Sequence, residues 1–188
     1  MIAAGYIIDD TATLMPCYPA IGETKRMRVR ASMESDYLQW IPFFEDKESV
    51  RYFPNPEGLN SVELSRKWVS SHIENYKAGV YGQMALISKG DGNLIGSAGF
   101  LMCEIDDNIE VQTGVAILPQ YQKRRYALEA LEYLNIISEN YKICSLISIV
   151  HKDNIASQGL TEKSGKMFVK EMIYENCLAF LYRKNFLR

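Results

Sequence analysis

Three cations stand together at Lys123, Arg124 and Arg125. They lie between an extended run that breaks at Pro119 and a segment whose apolar residues Ala127, Ala130, Leu131 and Leu134 recur at helical spacing. A strand that feeds a cationic turn and then opens a helix is suited to holding a phosphate. The first N–H groups of a helix have no partner within it, and the helix dipole favours negative charge at that end. The chemistry on offer is local anion binding. Neither a Ser-His-Asp nor a Cys-His arrangement for nucleophilic catalysis is visible. Cys17, Cys103, Cys144 and Cys177 are widely separated and, with His72 and His151, lack the spacing of a metal site. We expect reduced, buried thiols, no metal, and a packing or surface role for His72.

The elements that must position this turn follow from periodicity. Residues 24–31 set Met27 and Val29 against Arg26, Arg28 and Arg30, the alternation of a half-buried strand with a solvated basic face. Ser35 and Asp36 offer N-caps for a helix carrying Tyr37, Trp40, Ile41 and Phe44, interrupted or bent at Pro42. Residues 51–58 form a loop, and Asn60 with Glu63 makes a capping box for a helix with Leu64, Trp68 and Tyr76 on one face. Three strands then follow as an antiparallel meander, turning at 90–93 and 106–108. Gly96, Gly99 and Gly114 within them mark bulges or close approaches. After a helix over 125–140 comes a buried strand at 143–150, which implies a parallel crossover. A short helix at 154–163 and a hairpin of 167–174 with 177–183 close the chain. The class is α+β: one central mixed, mostly antiparallel sheet flanked by helices.

The chain of 188 residues suits a single domain, read here as 24–188, preceded by an extension or arm at 1–23 with a short strand at 6–8. A net charge of −2 gives no general attraction for nucleic acid. Without a signal peptide or an apolar run long enough to span a bilayer, no membrane partner is expected, and the chain reads as cytoplasmic. It is expected to act as a monomer or homodimer.

The turn Pro119-Gln120-Tyr121-Gln122-Lys123-Arg124-Arg125-Tyr126-Ala127, followed by Glu129-Ala130, resembles the acyl-CoA loop Q/R-x-x-G-x-G/A of the GNAT N-acetyltransferase superfamily. Asn154-Ile155-Ala156-Ser157 with Glu162, Lys163 and Gly165 is similar to the N-x-x-S…E-K-x-G segment of its RimJ/RimL branch. Members of that branch acetylate protein N-terminal α-amines, some antibiotics and other small amines. Residues 23–30 look like the branch's first strand, E-T-x-R-L-x-L-R, and the similarity runs from 23 to 187. The resemblance implies a GNAT fold with acetyl-CoA as co-substrate, wedged between two splayed strands, one ending at Leu118 and the other at 143–150. Backbone groups of Val115, Ala116 and Ile117 would polarise the thioester and bind pantetheine. N–H groups of Gln122, Lys123, Arg124, Arg125, Tyr126 and Ala127 would hold the pyrophosphate. Asn154 would bond the pantetheine arm, a role compatible with capping a helix. Ser157 would serve the thiolate, or be an ordinary helix-surface hydroxyl. The acceptor is implied to be a primary amine, on a small molecule or a protein N-terminus, contacted by Tyr52 and Phe53. Direct attack by the amine requires no covalent enzyme intermediate.

Two residues depart from the family pattern. Arg125 replaces the loop glycine, where a side chain would crowd the phosphates, swing outward, or add a charge-assisted contact. Gln112 stands where the strand pattern E-I-G-Y-x-L-x-P has glutamate, and glutamine cannot take a proton. Glu110, on the same strand face, is either a base acting through a water relay or a solvated carboxylate near the turn. Lacking a base, the enzyme would bind neutral amine and act through proximity. These departures also admit a catalytically idle GNAT-fold protein that binds CoA or a partner.

Overall fold

A computed structural model describes residues 21–53, 55 and 58–186, so the arm's expected strand at 6–8 lies outside the described residues. The strands are β1 (Gly22–Glu23), β2 (Met27–Arg30), β3 (Gln83–Ser88), β4 (Leu94–Ile105), β5 (Asn108–Ile117), β6 (Ser145–His151), β7 (Met167–Tyr174) and β8 (Cys177–Asn185). The helices are α1 (Tyr37–Glu45), α2 (Lys47–Val50), α3 (Ser61–Lys77), α4 (Tyr126–Asn140) and α5 (Ile155–Lys163). One sheet of 8 strands in the order β1-β2-β3-β4-β5-β6-β8-β7 carries them all. Its neighbours are antiparallel except β5 and β6, the expected mixed, mostly antiparallel sheet flanked by helices.

Local chemistry explains most boundaries. Asn60 accepts from Val62 and Glu63 N–H at 3.0 Å, and Glu63 reaches back to Asn60 N–H at 2.9 Å, so α3 starts on a closed capping box. The two-residue turns Asp106-Asp107 and Glu175-Asn176 hold positive φ throughout, which matches the twist of the hairpins they close. A Cβ at Gly96 would lie 2.1 Å from the Ala116 carbonyl oxygen, and one at Gly114 would lie 2.3 Å from Gln83 Nε2. Both glycines are close approaches, as expected. Trp40, Phe43 and Phe44 of α1, Val69 of α3 and Leu134 of α4 join Leu86, Phe100 and Leu146 of the sheet in one core.

Three expectations are corrected and a fourth is narrowed. The basic face of β2 is not simply solvated: Arg30 makes a bidentate pair with Asp36 at 2.7 Å, and Arg26 pairs with Glu129 at 2.6 Å. Asp36 therefore does not cap α1. Its carboxylate accepts from Met33 N–H and Arg30 instead. Helix α1 is not interrupted at Pro42, which excludes one of the two outcomes expected there; the proline's missing donor faces the carbonyl of Leu38, an exposed residue. Finally, Cys144 and Cys177 are exposed and Cys103 half-buried, because each sits at a strand end or a sheet margin rather than under a helix; Cys17 lies outside the described residues.

What matters for function is the joint between β5 and β6. Their register pairs Gln112 with Ile147. Next to that pair, Thr113 Oγ1 lies 3.0 Å from Ser148 Oγ. Beyond it β5 runs on to Ile117 and β6 to His151 with no further residues paired. We refer to the two strand ends past that pair, with the turns that follow them, as two jaws, and to the space between them as the cleft.

Candidate functional site

The first jaw is the far half of β5 with the turn that follows. Val115, Ala116 and Ile117 pair on one side with Ala98, Ser97 and Gly96 of β4, and their other backbone edge faces the gap. Gln122 Nε2 donates to the Ile117 carbonyl at 3.1 Å, so that one acceptor is already engaged by the chain itself. In the turn, Lys123 and Arg125 take φ of 59° and 62°, the left-handed region that glycine enters freely. Arg125 thus holds a backbone conformation that a glycine would adopt without strain. It also stands at the N-cap of α4, which leaves the first N–H groups of a helix of 15 residues without a side-chain cap. Lys123, Arg124 and Arg125 are exposed and make no ion pair among the described residues. The Arg125 side chain is exposed and makes no hydrogen bond to the chain among the described residues, so its guanidinium is not engaged elsewhere.

The turn is buttressed from β2. Arg26 donates through Nε to Glu129 at 2.6 Å and through Nη1 to the Arg124 carbonyl at 2.9 Å, while its guanidinium carbon sits 4.1 Å from the centre of the Tyr126 ring. Thr24 Oγ1 and Arg26 N–H reach the other Glu129 oxygen at 2.5 and 2.8 Å. Burial opposes ionisation of Glu129, but these donors prevail and hold its carboxyl below the usual range.

The second jaw is the end of β6 and the start of α5. Asn154 Oδ1 accepts from Ser157 N–H at 3.0 Å, capping the helix, while its Nδ2 makes no hydrogen bond among the described residues. Ser157 Oγ is likewise without one. The turn before them is knitted to His151, whose Nδ1 accepts from Asp153 N–H at 3.1 Å and whose carbonyl accepts from Asn154 N–H at 2.9 Å. Sequence reasoning passed over His151, although the residue lies only three positions before Asn154.

The base candidates sit where the jaws meet. Gln112 lies between Leu101 and Ile147 in the register. Glu110 is bound by Arg183 through two contacts of 2.6 and 3.0 Å, and Arg183 also donates to Ser145 Oγ at 3.0 Å. The hydrogen bond to Glu110 raises the Arg183 pKa further. Both carboxylate oxygens of Glu110 are therefore occupied, by a residue that no sequence motif pointed to.

Of the two acceptor-wall residues, Tyr52 stacks on His151 with ring centres 4.8 Å apart. Phe53 instead joins Phe43, Phe44 and Trp68 at 5.3 to 6.1 Å and lines a cavity of about 300 Å³ with Val50, Leu59 and Leu64. Behind Gly114 lies a buried polar group also missed in the sequence: Gln83 accepts from Ser97 Oγ at 2.7 Å, and its N–H donates to His72 Nδ1 at 3.3 Å. Burial pushes the His72 imidazole down to about 4, so it is a neutral packing residue at ordinary pH. No group of three or more His, Cys, Asp or Glu side chains that could hold a metal gathers among the described residues. No helix among them is long and apolar enough to cross a membrane.

Comparison with known proteins bears on the family and the fold. Residues 26–166 match the family described as acetyltransferase (GNAT) domain. Among solved structures, the acetyltransferase (GNAT family) from Bacillus anthracis superposes with a TM-score of 0.72 at 20% identity, covering 88% of this chain and 98% of that one. RimL, a ribosomal alpha-N-protein acetyltransferase in complex with coenzyme A, gives 0.71 at 16% identity over 88% and 97% of the two chains. The microcin self immunity acetyltransferase MccE in complex with acetyl-CoA and AMP gives 0.72 at 10% identity over 87% and 94%. Identities this low establish likeness of fold. No curated protein matches the chain.

Proposed function

This chain belongs to the GNAT acetyltransferase family, and on that premise we propose that it is an acetyl-CoA-dependent N-acetyltransferase of the RimJ/RimL type acting on a primary amine. The observation that carries the reading is the split between β5 and β6, which opens beside an uncapped helix N-terminus whose turn keeps the glycine-like backbone at Arg125. Acetyl-CoA would supply an activated acyl group as a thioester. Backbone groups of Val115 and Ala116 would align and polarise its carbonyl, with Ile117 contributing less because Gln122 already engages its oxygen. N–H groups from Gln122 to Ala127, with the Lys123, Arg124 and Arg125 charges, would hold the pyrophosphate. Asn154 Nδ2 would orient the pantetheine arm, and the Ser157 hydroxyl would give a proton to the departing thiolate.

Neither Gln112 nor Glu110 takes the amine proton in this reading: as the C–N bond forms and the C–S bond breaks, the proton lost from nitrogen passes to the Ser157 oxygen, which restores the hydroxyl that protonated the thiolate. Gln112 accepts a hydrogen bond from the amine, and Glu110, fixed by Arg183, sets the local charge. The amine arrives neutral and proximity supplies the rate. That favours an α-amine, of which roughly a tenth is neutral at pH 7, over an alkylamine, of which roughly one in a few thousand is. Residues 24–188 would form the catalytic domain of a cytoplasmic enzyme, with 1–23 as an arm.

Calorimetry should detect acetyl-CoA binding, and a free-thiol assay over N-terminal peptides and small amines should find turnover fastest with α-amines. No binding at high micromolar acetyl-CoA would sink the reading. The replacement of glutamate by Gln112 favours one other reading, a GNAT-fold protein that binds CoA without turnover; binding with no thiol release across the panel would select it.

A further inference from the structure

The segment 46–53 lies across the mouth of the cleft and is tied to both jaws. Its single turn α2 begins where Asp46 accepts from Ser49 N–H at 2.9 Å. Ser49 Oγ then accepts from Gln122 Nε2 at 2.8 Å, the same nitrogen that donates to the Ile117 carbonyl. That end is fastened to the first jaw. Three residues on, the Tyr52 hydroxyl donates to the Asp153 carbonyl at 2.8 Å, with its ring stacked on His151 at 4.8 Å. That end is fastened to the second jaw, immediately before Asn154 and Ser157. Phe53 roots the segment in the aromatic core against Phe43 and Trp68. Past the Gln112–Ile147 pair no backbone pairing holds the jaws at a set distance, and this bridge supplies what the sheet omits.

The geometry points to Ser49 and Tyr52 as positioning residues that fix the width of the cleft. They hold Asn154 and Ser157 at a set distance from the Gln122 turn, so that one elongated ligand can touch both jaws without either having to be ordered first. The inference rests on the acetyltransferase reading for what the cleft binds, but not for the bridge itself. A strap fails when either end lets go. Releasing Ser49 should therefore loosen a turn that it does not touch, and releasing both ends should cost no more than releasing one.

The test uses Ser49→Ala, Tyr52→Phe, the double variant and the conservative Ser49→Thr, which retains the acceptor oxygen. Amide hydrogen exchange over 152–160 is followed in the free protein, with β3 and β4 as an internal standard for global stability. Ser49→Ala should speed exchange over 152–160 roughly fivefold, the value of one hydrogen bond, while β3 and β4 stay unchanged and Ser49→Thr behaves as the parent. In turnover assays each single variant should lower kcat severalfold and raise the KM for acetyl-CoA, with the double no worse than the singles. Unchanged exchange over 152–160 in Ser49→Ala would overturn the proposal, as would losses that simply add in the double variant. If the parent protein binds no acetyl-CoA, the exchange experiment still decides for or against the strap, and only the functional reading falls.

Discussion

Arg125 offers a separation of backbone from charge. It holds φ 62° and ψ 17° at the head of α4, a conformation that costs a residue with a Cβ about 1–2 kcal/mol. Glycine removes that strain but gives back about 0.5–1 kcal/mol of unfolded-state entropy. Arg125→Gly should therefore stabilise the fold by about 0.5–1 kcal/mol, or about 1–4 °C in Tm for a domain of this size. Arg125→Ala keeps the Cβ and the strain, and should melt with the parent. Both variants lose the same exposed guanidinium, worth up to about 1 kcal/mol against a phosphate, so both should bind acetyl-CoA about two- to fivefold more weakly at low salt. The difference from the parent should shrink as salt screens it. Scanning calorimetry and titration calorimetry across a salt series read the two effects independently. The reasoning is refuted if glycine and alanine melt alike, since the backbone strain would then be absent. It is equally refuted if Arg125→Gly binds acetyl-CoA more tightly than the parent, since the side chain would then crowd the phosphates instead of attracting them.

Three further outcomes follow from the same contacts. Lys166 is 2% exposed, its Nζ has no hydrogen-bond partner among the described residues, and burial with Lys184 nearby pushes its pKa down to about 8 from 10.5. Between those values the unfolded chain binds more protons than the native one, so stability should rise with pH through that window. Lys166→Met should stabilise the fold by about 3 kcal/mol at pH 7 and by progressively less towards pH 10; a pH-independent gap in urea melts would contradict this. Glu110→Gln leaves Arg183 without its carboxylate and should cost about 1–3 kcal/mol of stability, with the pH–rate profile unchanged; a lost limb in that profile would instead identify Glu110 as the base. Arg26→Ala removes the brace on the Arg124 carbonyl and should raise the KM for acetyl-CoA roughly tenfold, about 1.4 kcal/mol. Arg26→Lys should fail to rescue it, because a single ammonium cannot bridge Glu129 and that carbonyl together, and full rescue would refute the bracing role.

What could be read in the sequence was whatever depends on local chemistry. The capping box at Asn60, the turns at 106–107 and 175–176, the crossover from β5 to β6 and the close approaches at Gly96 and Gly114 all follow from residues near one another in the chain. The strand, the cationic turn and the helix that opens after it were legible for the same reason, because they are contiguous. Contacts across the fold were not. Arg26 and Glu129 are far apart in sequence, as are Glu110 and Arg183, and Ser49 and Gln122. Nothing in the alternation of β2 distinguishes an arginine that braces a turn from one that faces water. Pro42 does not interrupt α1, although it lies past the first turn, because it removes only one helical bond and the carbonyl it deprives belongs to an exposed residue, Leu38. The cysteines misled because average burial says little about a residue at a strand end.

The lone register pair between β5 and β6 has a consequence for how the molecule assembles. Strands β3, β4 and β5 pair with their neighbours through short turns, and β7 pairs with β8 through a two-residue turn, so the centre of each half can form by short loop closures. The parallel joint must wait until α4 has folded and carried the chain across. The halves should therefore appear early during refolding and dock late, with the cleft completed by the last step and opened by the first step of unfolding. Pulse labelling of amides during refolding would show this order: protection in β3 and β4 before protection at Gln112 and Ile147. A ligand that spans the cleft would then act on the slowest event of folding, and its presence should speed docking of the halves or delay their separation.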